Sequence, residues 1–151
     1  MKKIKGNLLE FALDGQFDVI VHGCNCFHQM GAGIAKTIAT LFPEAFEADK
    51  TTPFGEKTKL GAVSSTLIHR DSTKFTIVNA YTQFHWKGRG LKADYEAISS
   101  CFNVVADQFP SARIGYPLIG AGLAGGDWAV IEPRISEALT GLDHTLVLFD
   151  P

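Results

Sequence analysis

His22, Cys24, Asn25, Cys26 and His28 crowd into one short stretch at the end of an apolar run. An imidazole there could move a proton, and an amide could hold a sugar hydroxyl or orient a water. Directly after it, Gly31-Ala32-Gly33 opens a helical pattern. A strand, a glycine-bearing turn and a helix in that order aim free backbone N–H groups and the positive end of a helix dipole at an anion. A second stretch, Tyr116 to Trp128, repeats the plan and places Gly120, Gly122, Gly125 and Gly126 within seven residues. Glycine lets the backbone come close to a ligand because no Cβ intervenes. Two such elements in 151 residues point to a ligand with more than one phosphate.

Each of these residues also has a plain structural reading. His22 lies inside an apolar strand, where a satisfied core histidine competes with an acid or base. Asn25 closes that strand, so an Asx turn competes with ligand contact. Asp127 follows two glycines and begins a helical pattern, which makes helix N-cap its first role. The alternation of His and Cys invites a metal, but zinc sites draw a second ligand pair from elsewhere, and Cys101 falls within a helix. Cys24 and Cys26 then read as small, half-buried residues, and no metal or cofactor is expected. Neither glycine stretch carries the Gly-Lys-Ser/Thr of a Walker loop, and no Rossmann fingerprint is present. The segment Gln83 to Gly90 mixes aromatic and basic residues and suits either a pocket rim or a solvent-facing loop.

The elements that must position these residues follow from pattern. Lys2–Lys5 reads as a strand, Phe17–Gly23 as a strand buried on both faces, and Gly33–Phe42 as a helix ended by a turn at Pro43. Thr51–Leu60 reads as a loop. Ala62–His69 and Lys74–Tyr81 read as neighbouring strands, Ala93–Phe109 as the clearest helix, Arg113–Leu118 as a strand, Asp127–Leu139 as a helix and Thr145–Phe149 as the closing strand. The order β-β-α-β-β-α-β-α-β implies an α/β fold, a mixed and mostly parallel sheet covered on both faces, with ligands at the strand ends.

Bulk properties bound the rest. The length predicts a single domain over residues 1–151. A formal net charge of −2 argues against bulk duplex binding, which needs many Lys and Arg on phosphates. Three cysteines form no disulfide framework, and no signal peptide or membrane-length apolar run is seen, so a cytoplasmic setting is expected.

Taken together, Lys5-Gly-Asn-Leu-Leu9, the His-Gly-Cys-Asn-Cys strand end, Gly31-Ala-Gly-Ile-Ala35 and Ile119-Gly-Ala-Gly-Leu-Ala-Gly-Gly-Asp-Trp128 resemble a macro domain, the three-layer α/β/α fold that binds ADP-ribose. The first two thirds is most similar to yeast-type ADP-ribose 1″-phosphate phosphatases. The Gly-Gly-Asp-Trp loop and Thr82-Gln-Phe-His-Trp86 resemble the branch of terminal ADP-ribose–protein glycohydrolases and DNA de-ADP-ribosylating antitoxins. The resemblance implies that Asn7, with Leu8, stands where an acidic residue reads the adenine amino group, and that Asn25 sits at the distal ribose. It further implies ligand contacts from Gly23, Gly31, Ala32, Gly33 and Ile34, and from Ile119, Gly120, Ala121, Gly122, Leu123, Ala124 and Gly125. Two positions depart from the family pattern. Ala124 stands where many members have Phe or Tyr, and Gln83 where the glycohydrolase branch has a lysine. Glutamine cannot form the covalent sugar adduct that an amine can. The expected activity is therefore that of a monomeric phosphatase converting ADP-ribose 1″-phosphate to ADP-ribose, with Asn25, His22 and, behind them, Asp127 as catalytic groups. The alternatives are a non-catalytic ADP-ribose-binding module and a water-based ADP-ribosyl glycohydrolase acting on modified protein or nucleic acid.

Overall fold

The computed structural model describes residues Met1–Pro151. Six strands form one sheet: β1 (Lys2–Gly6), β2 (Val19–Cys24), β3 (Val63–Arg70), β4 (Thr73–Tyr81), β5 (Arg113–Tyr116) and β6 (Asp143–Phe149). Their order across the sheet is β1-β6-β5-β2-β4-β3, parallel throughout except for the β3–β4 hairpin. The sheet is therefore mixed and mostly parallel, as the pattern predicts.

Helices cover both faces. α4 (Tyr95–Gln108) and α5 (Trp128–Ala138) lie on one, and α1 (Leu8–Leu13), α2 (Gly33–Leu41) and α3 (Pro43–Lys50) on the other. The alternation of side chains along β2 divides the core accordingly. Val19 and Val21 join Ile98, Phe102, Ile114 and Ile131 under α4 and α5. Ile20 joins Leu8, Ile38, Ala45, Phe75 and Ile77 under the other three helices. No helix is long and apolar enough to cross a membrane.

Two of these helices escape the pattern reading. α1 has six residues and a one-sided apolar face (Leu8, Leu9, Ala12), too short for periodicity to register. Its start is set by Asn7, whose Oδ1 accepts from the N–H groups of Leu9 and Glu10. Pro43 does not close the preceding helix into a turn but opens α3, because proline is well suited to the first helical position. Within the loop Thr51–Leu60, Lys57–Lys59 makes one 3₁₀ turn. The parallel registers Gly6↔Phe149, Cys24↔Tyr81 and Tyr116↔Leu146 bring the C-terminal ends of β1, β2, β4, β5 and β6 to one rim.

Candidate functional site

A cavity of about 500 Å³ opens at that rim, within the range common for small-molecule sites. One wall is the turn before α2. Gly31, Ala32, Gly33, Ile34 and Ala35 line it. The N-cap residue Ala32 contributes no side-chain hydrogen bond, so the first N–H groups of this nine-residue helix have no side-chain capping acceptor, and the residues that carry them line the cavity. The opposite wall is the loop after β5, with Pro117, Ile119, Gly120, Gly122, Leu123 and Ala124. A second cavity of about 400 Å³ continues from the first and shares Gly33, Ile34, Pro117, Val147 and Phe149 with it. Asn7 and Leu8 line this extension. The two volumes form one elongated groove.

The glycines of the loop after β5 are not equivalent. Gly120 and Gly125 adopt left-handed backbone (φ +75° and +73°), and a Cβ on Gly125 would meet the Gly90 carbonyl oxygen at 2.6 Å. Gly126 N–H donates to the Gly120 oxygen at 2.7 Å, which closes the loop on itself. Gly122 has neither constraint: no atom lies within 4 Å of a Cβ placed there. Its emptiness faces the groove.

At the far end of the larger cavity stands Asn25. Its Oδ1 accepts from Phe27 N–H (2.9 Å) and Gln29 N–H (3.4 Å), and its Nδ2 donates to the Gln29 oxygen (2.8 Å). The Asx turn and the cavity position are thus both real, and the turn holds the amide still. Beside it lie Cys24, Gln29, Thr82, Gln83, Trp86 and Lys92. Lys92 is the one charged side chain in either lining, and its Nζ donates only to the Gly88 carbonyl (3.1 Å). With the α2 dipole, it makes the groove attractive to anions. Burial pushes the Cys24 thiol well above its ordinary range, so it stays protonated there.

The structure does not bring His22, Asp127, Ala121 or Gly125 to the groove. His22 points into the core, 1% exposed, with Nε2 2.7 Å from Asn79 Oδ1. Asp127 caps α5 by accepting from Ala129 N–H, at a face that the cavity does not reach. Ala121 packs against the core under α4 and α5, and Gly125 serves loop closure. His22 instead starts a buried chain of polar contacts. Asn79 Nδ2 donates to Ser64 Oγ, Ser64 meets Tyr81 Oη (2.9 Å), and Tyr81 donates to Asp49 Oδ1 (2.7 Å). Thr52 contacts Tyr81 Oη, and the Thr52 carbonyl lies 2.8 Å from His28 Nε2. His28, in left-handed backbone (φ 56°), belongs to the loop that carries Asn25.

Desolvation holds the His22 and His144 pKa values below the ordinary 6.5. The unfolded chain then binds the extra proton, so both groups favour the fold above about pH 6.5 and that contribution is lost as pH falls below it. Melting temperature should therefore drop on acidification from pH 7.5, and less steeply in His22→Gln. His22→Ala should cost about 2–4 kcal/mol of stability through a cavity and an orphaned Asn79, and leave the rate per folded molecule unchanged. Thermal melts and rates normalised to folded protein check this. A lost limb of the pH–rate profile would return His22 to the reaction.

Several lining residues have no local signature in the sequence. Val147 and Phe149 reach the groove only because β6 lies beside β5 and β1. Lys92 does so because the chain after β4 folds back, with Gln83 bridging Ala93 and the N–H groups of Lys92 and Ala93 both donating to the Ala124 oxygen. The same fold brings in Gln83 and Trp86 from the segment read in the sequence as a pocket rim or a solvent-facing loop.

Comparison with known proteins is consistent with this geometry. Residues 21–135 match the family model described as Macro domain. The phage T4 "uncharacterized 17.5 kDa protein in tk-vs intergenic region" is 34% identical over 157 residues, which cover all of this chain and 97% of that protein. A Mycobacterium tuberculosis "DNA ADP-ribosyl glycohydrolase" is 30% identical over 138 residues, 89% of this chain but 38% of the mycobacterial protein. This chain thus spans well under half of that relative. The macrodomain of Thermus aquaticus DarG superposes with a TM-score of 0.77 at 23% identity, covering 99% of this chain and 97% of that one.

Proposed function

The chain belongs to the macro domain family, and on that premise we propose that its groove binds ADP-ribose and that it hydrolyses the bond at C1″ of the distal ribose, releasing ADP-ribose from modified nucleic acid. The observation that carries the reading is the pair of backbone walls. The uncapped α2 N-terminus and the open Gly122 turn both line a cavity of about 500 Å³ that continues into a second of about 400 Å³, with backbone N–H groups and Lys92 as the features that suit a diphosphate. In this reading the adenine occupies the extension between Leu8, Val147 and Phe149, a residue that is 75% exposed and offers a ring for stacking. Asn7 Oδ1 is committed to capping α1, so Nδ2 is the atom left to meet the base. The distal ribose lies at Asn25.

Gln83 lines the cavity where the resemblance implies a lysine. Water alone is accordingly the nucleophile. A water oxygen bonds to C1″, the C1″ bond to the modified base breaks with its electron pair leaving on the base, and the proton from water follows it. Asn25 holds the ribose hydroxyls, and the walls hold the diphosphate in place. Removal of His22 and Asp127 from the groove takes away two of the three groups expected to serve a phosphatase, and the matched mycobacterial relative is a glycohydrolase. The phosphatase reading retains one specific support, the unneutralised ammonium of Lys92, a natural partner for a 1″-phosphate. Purified protein given ADP-ribosylated oligonucleotide, ADP-ribose 1″-phosphate and free ADP-ribose separates the readings. Freed ADP-ribose from the first substrate is the expected result. Phosphate release from the second alone would reassign it, and binding heat without product would make it a recognition module.

A further inference from the structure

An aromatic surface starts at Trp86, on the lining of the cavity near Asn25, and runs outward beyond the groove. Trp86, 43% exposed, stacks on His85 with ring centroids 5.8 Å apart. His85 meets Phe27 at 4.6 Å, and Phe27 meets Phe54 at 5.4 Å. Phe54 is 64% exposed. Together these rings make a continuous aromatic path from the rim of the cavity outward. Backbone bonds fix it, since Cys26 N–H donates to the Phe84 oxygen and Gly55 N–H to the Cys26 oxygen.

Cations accompany the rings. Lys57 Nζ lies 5.0 Å from the Phe84 centroid and Lys87 Nζ 5.0 Å from that of Trp86. Arg89 and Lys92 follow in the same segment, and residues 83–92 contain no carboxylate. The six ion pairs of the protein all lie elsewhere, so none of these four cations is neutralised by one. Glu56, beside Lys57, is the one acidic residue of the 51–60 loop. An apolar protein partner would not call for unpaired ammonium groups, and an acidic peptide would not call for exposed flat rings. Exposed rings with unneutralised cations beside them are what binds the bases and phosphates of a single strand.

We propose that this path, from Trp86 through Phe27 to Phe54 with Lys57 and Lys87 alongside, binds single-stranded nucleic acid that carries the ADP-ribose. The inference rests on the reading above, in which the bond to be broken lies at Asn25, because the strand then leaves the cavity past Trp86. Bases stack on the outer rings, and the lysines meet the flanking phosphates. A local patch of this kind is compatible with a net charge of −2, since it grips a few nucleotides rather than a duplex.

The test compares free ADP-ribose with a short single-stranded oligodeoxynucleotide carrying ADP-ribose, by rapid-mixing fluorescence anisotropy before turnover. The wild-type chain should bind the modified strand roughly tenfold or more tighter than free ADP-ribose, in a salt-dependent way. Phe54→Ser combined with Lys57→Glu, both outside the groove lining, should abolish that advantage and leave the affinity for free ADP-ribose within twofold. Equal affinities for the two ligands in the wild type would overturn the surface and spare the groove. Failure to bind either would overturn the reading of the groove itself. An advantage conferred by an ADP-ribosylated acidic peptide instead of the strand would reassign the surface to a protein partner.

Discussion

Gly122→Glu should abolish ADP-ribose binding and leave the fold standing. The backbone at Gly122 lies outside the left-handed region, and an added Cβ meets no atom within 4 Å. The substitution therefore neither strains the loop nor displaces a neighbour, in contrast to Gly125 and Gly126. The new side chain instead fills the mouth between the two walls and brings a carboxylate to the place of the diphosphate. Like charges about 4 Å apart at an effective dielectric near 20 repel by about 4 kcal/mol, close to a thousandfold in affinity. Calorimetry should show affinity reduced at least about 100-fold, with a melting temperature within a few degrees of the wild type. Unchanged affinity in a folded variant would take this loop out of the site.

Asn25→Ala has the second large effect, and its burden is divided. The side chain satisfies the N–H groups of Phe27 and Gln29 and donates to the Gln29 carbonyl. Removing it leaves those groups in a half-buried turn without partners, at a cost of about 1–3 kcal/mol. Loss of its hold on the distal ribose should lower turnover on the order of 100-fold or more. Affinity for ADP-ribose should fall much less, because the adenine and diphosphate contacts are made by other elements. Asn25→Asp keeps the two acceptor bonds of the turn and loses the Nδ2 donor, so it separates the two roles. Its turnover should remain low while its stability recovers only in part, since a carboxylate oxygen then faces the Gln29 carbonyl. Normal turnover per folded molecule in Asn25→Ala would show that the amide serves the turn alone.

The central architecture was legible because the physics that builds it is local. β2 is apolar on both faces since it lies mid-sheet, and α4 repeats apolar residues every three or four positions. The glycine walls could be read from their place between strand and helix. α1 could not, because six residues give no periodicity and its only marker is the capping Asn7. His22 misleads for a related reason. A histidine before a strand end looks the same in sequence whether its ring faces a ligand or a buried asparagine, and the parity of β2 against α3 decides it. Val147, Phe149 and Lys92 belong to the site through strand order and a backward fold, neither of which leaves a mark on the neighbouring residues.

The polar chain from His22 to His28 makes the two sides of the groove unequal in how they open. The loop holding Asn25 is tied through Thr52, Tyr81 and Ser64 to Asn79 in the middle of the sheet. It should therefore open only when the central strands do, and its amides should exchange with solvent near the slow, global limit. The facing segment from Trp86 to Leu91 is exposed throughout and turns at Gly88 and Gly90 in left-handed backbone. Its amides should exchange orders of magnitude faster. At the Asn25 end a ligand then meets one flank that belongs to the cooperative unit of the sheet and, at Trp86, one that yields independently, and passage in and out is governed by the yielding flank.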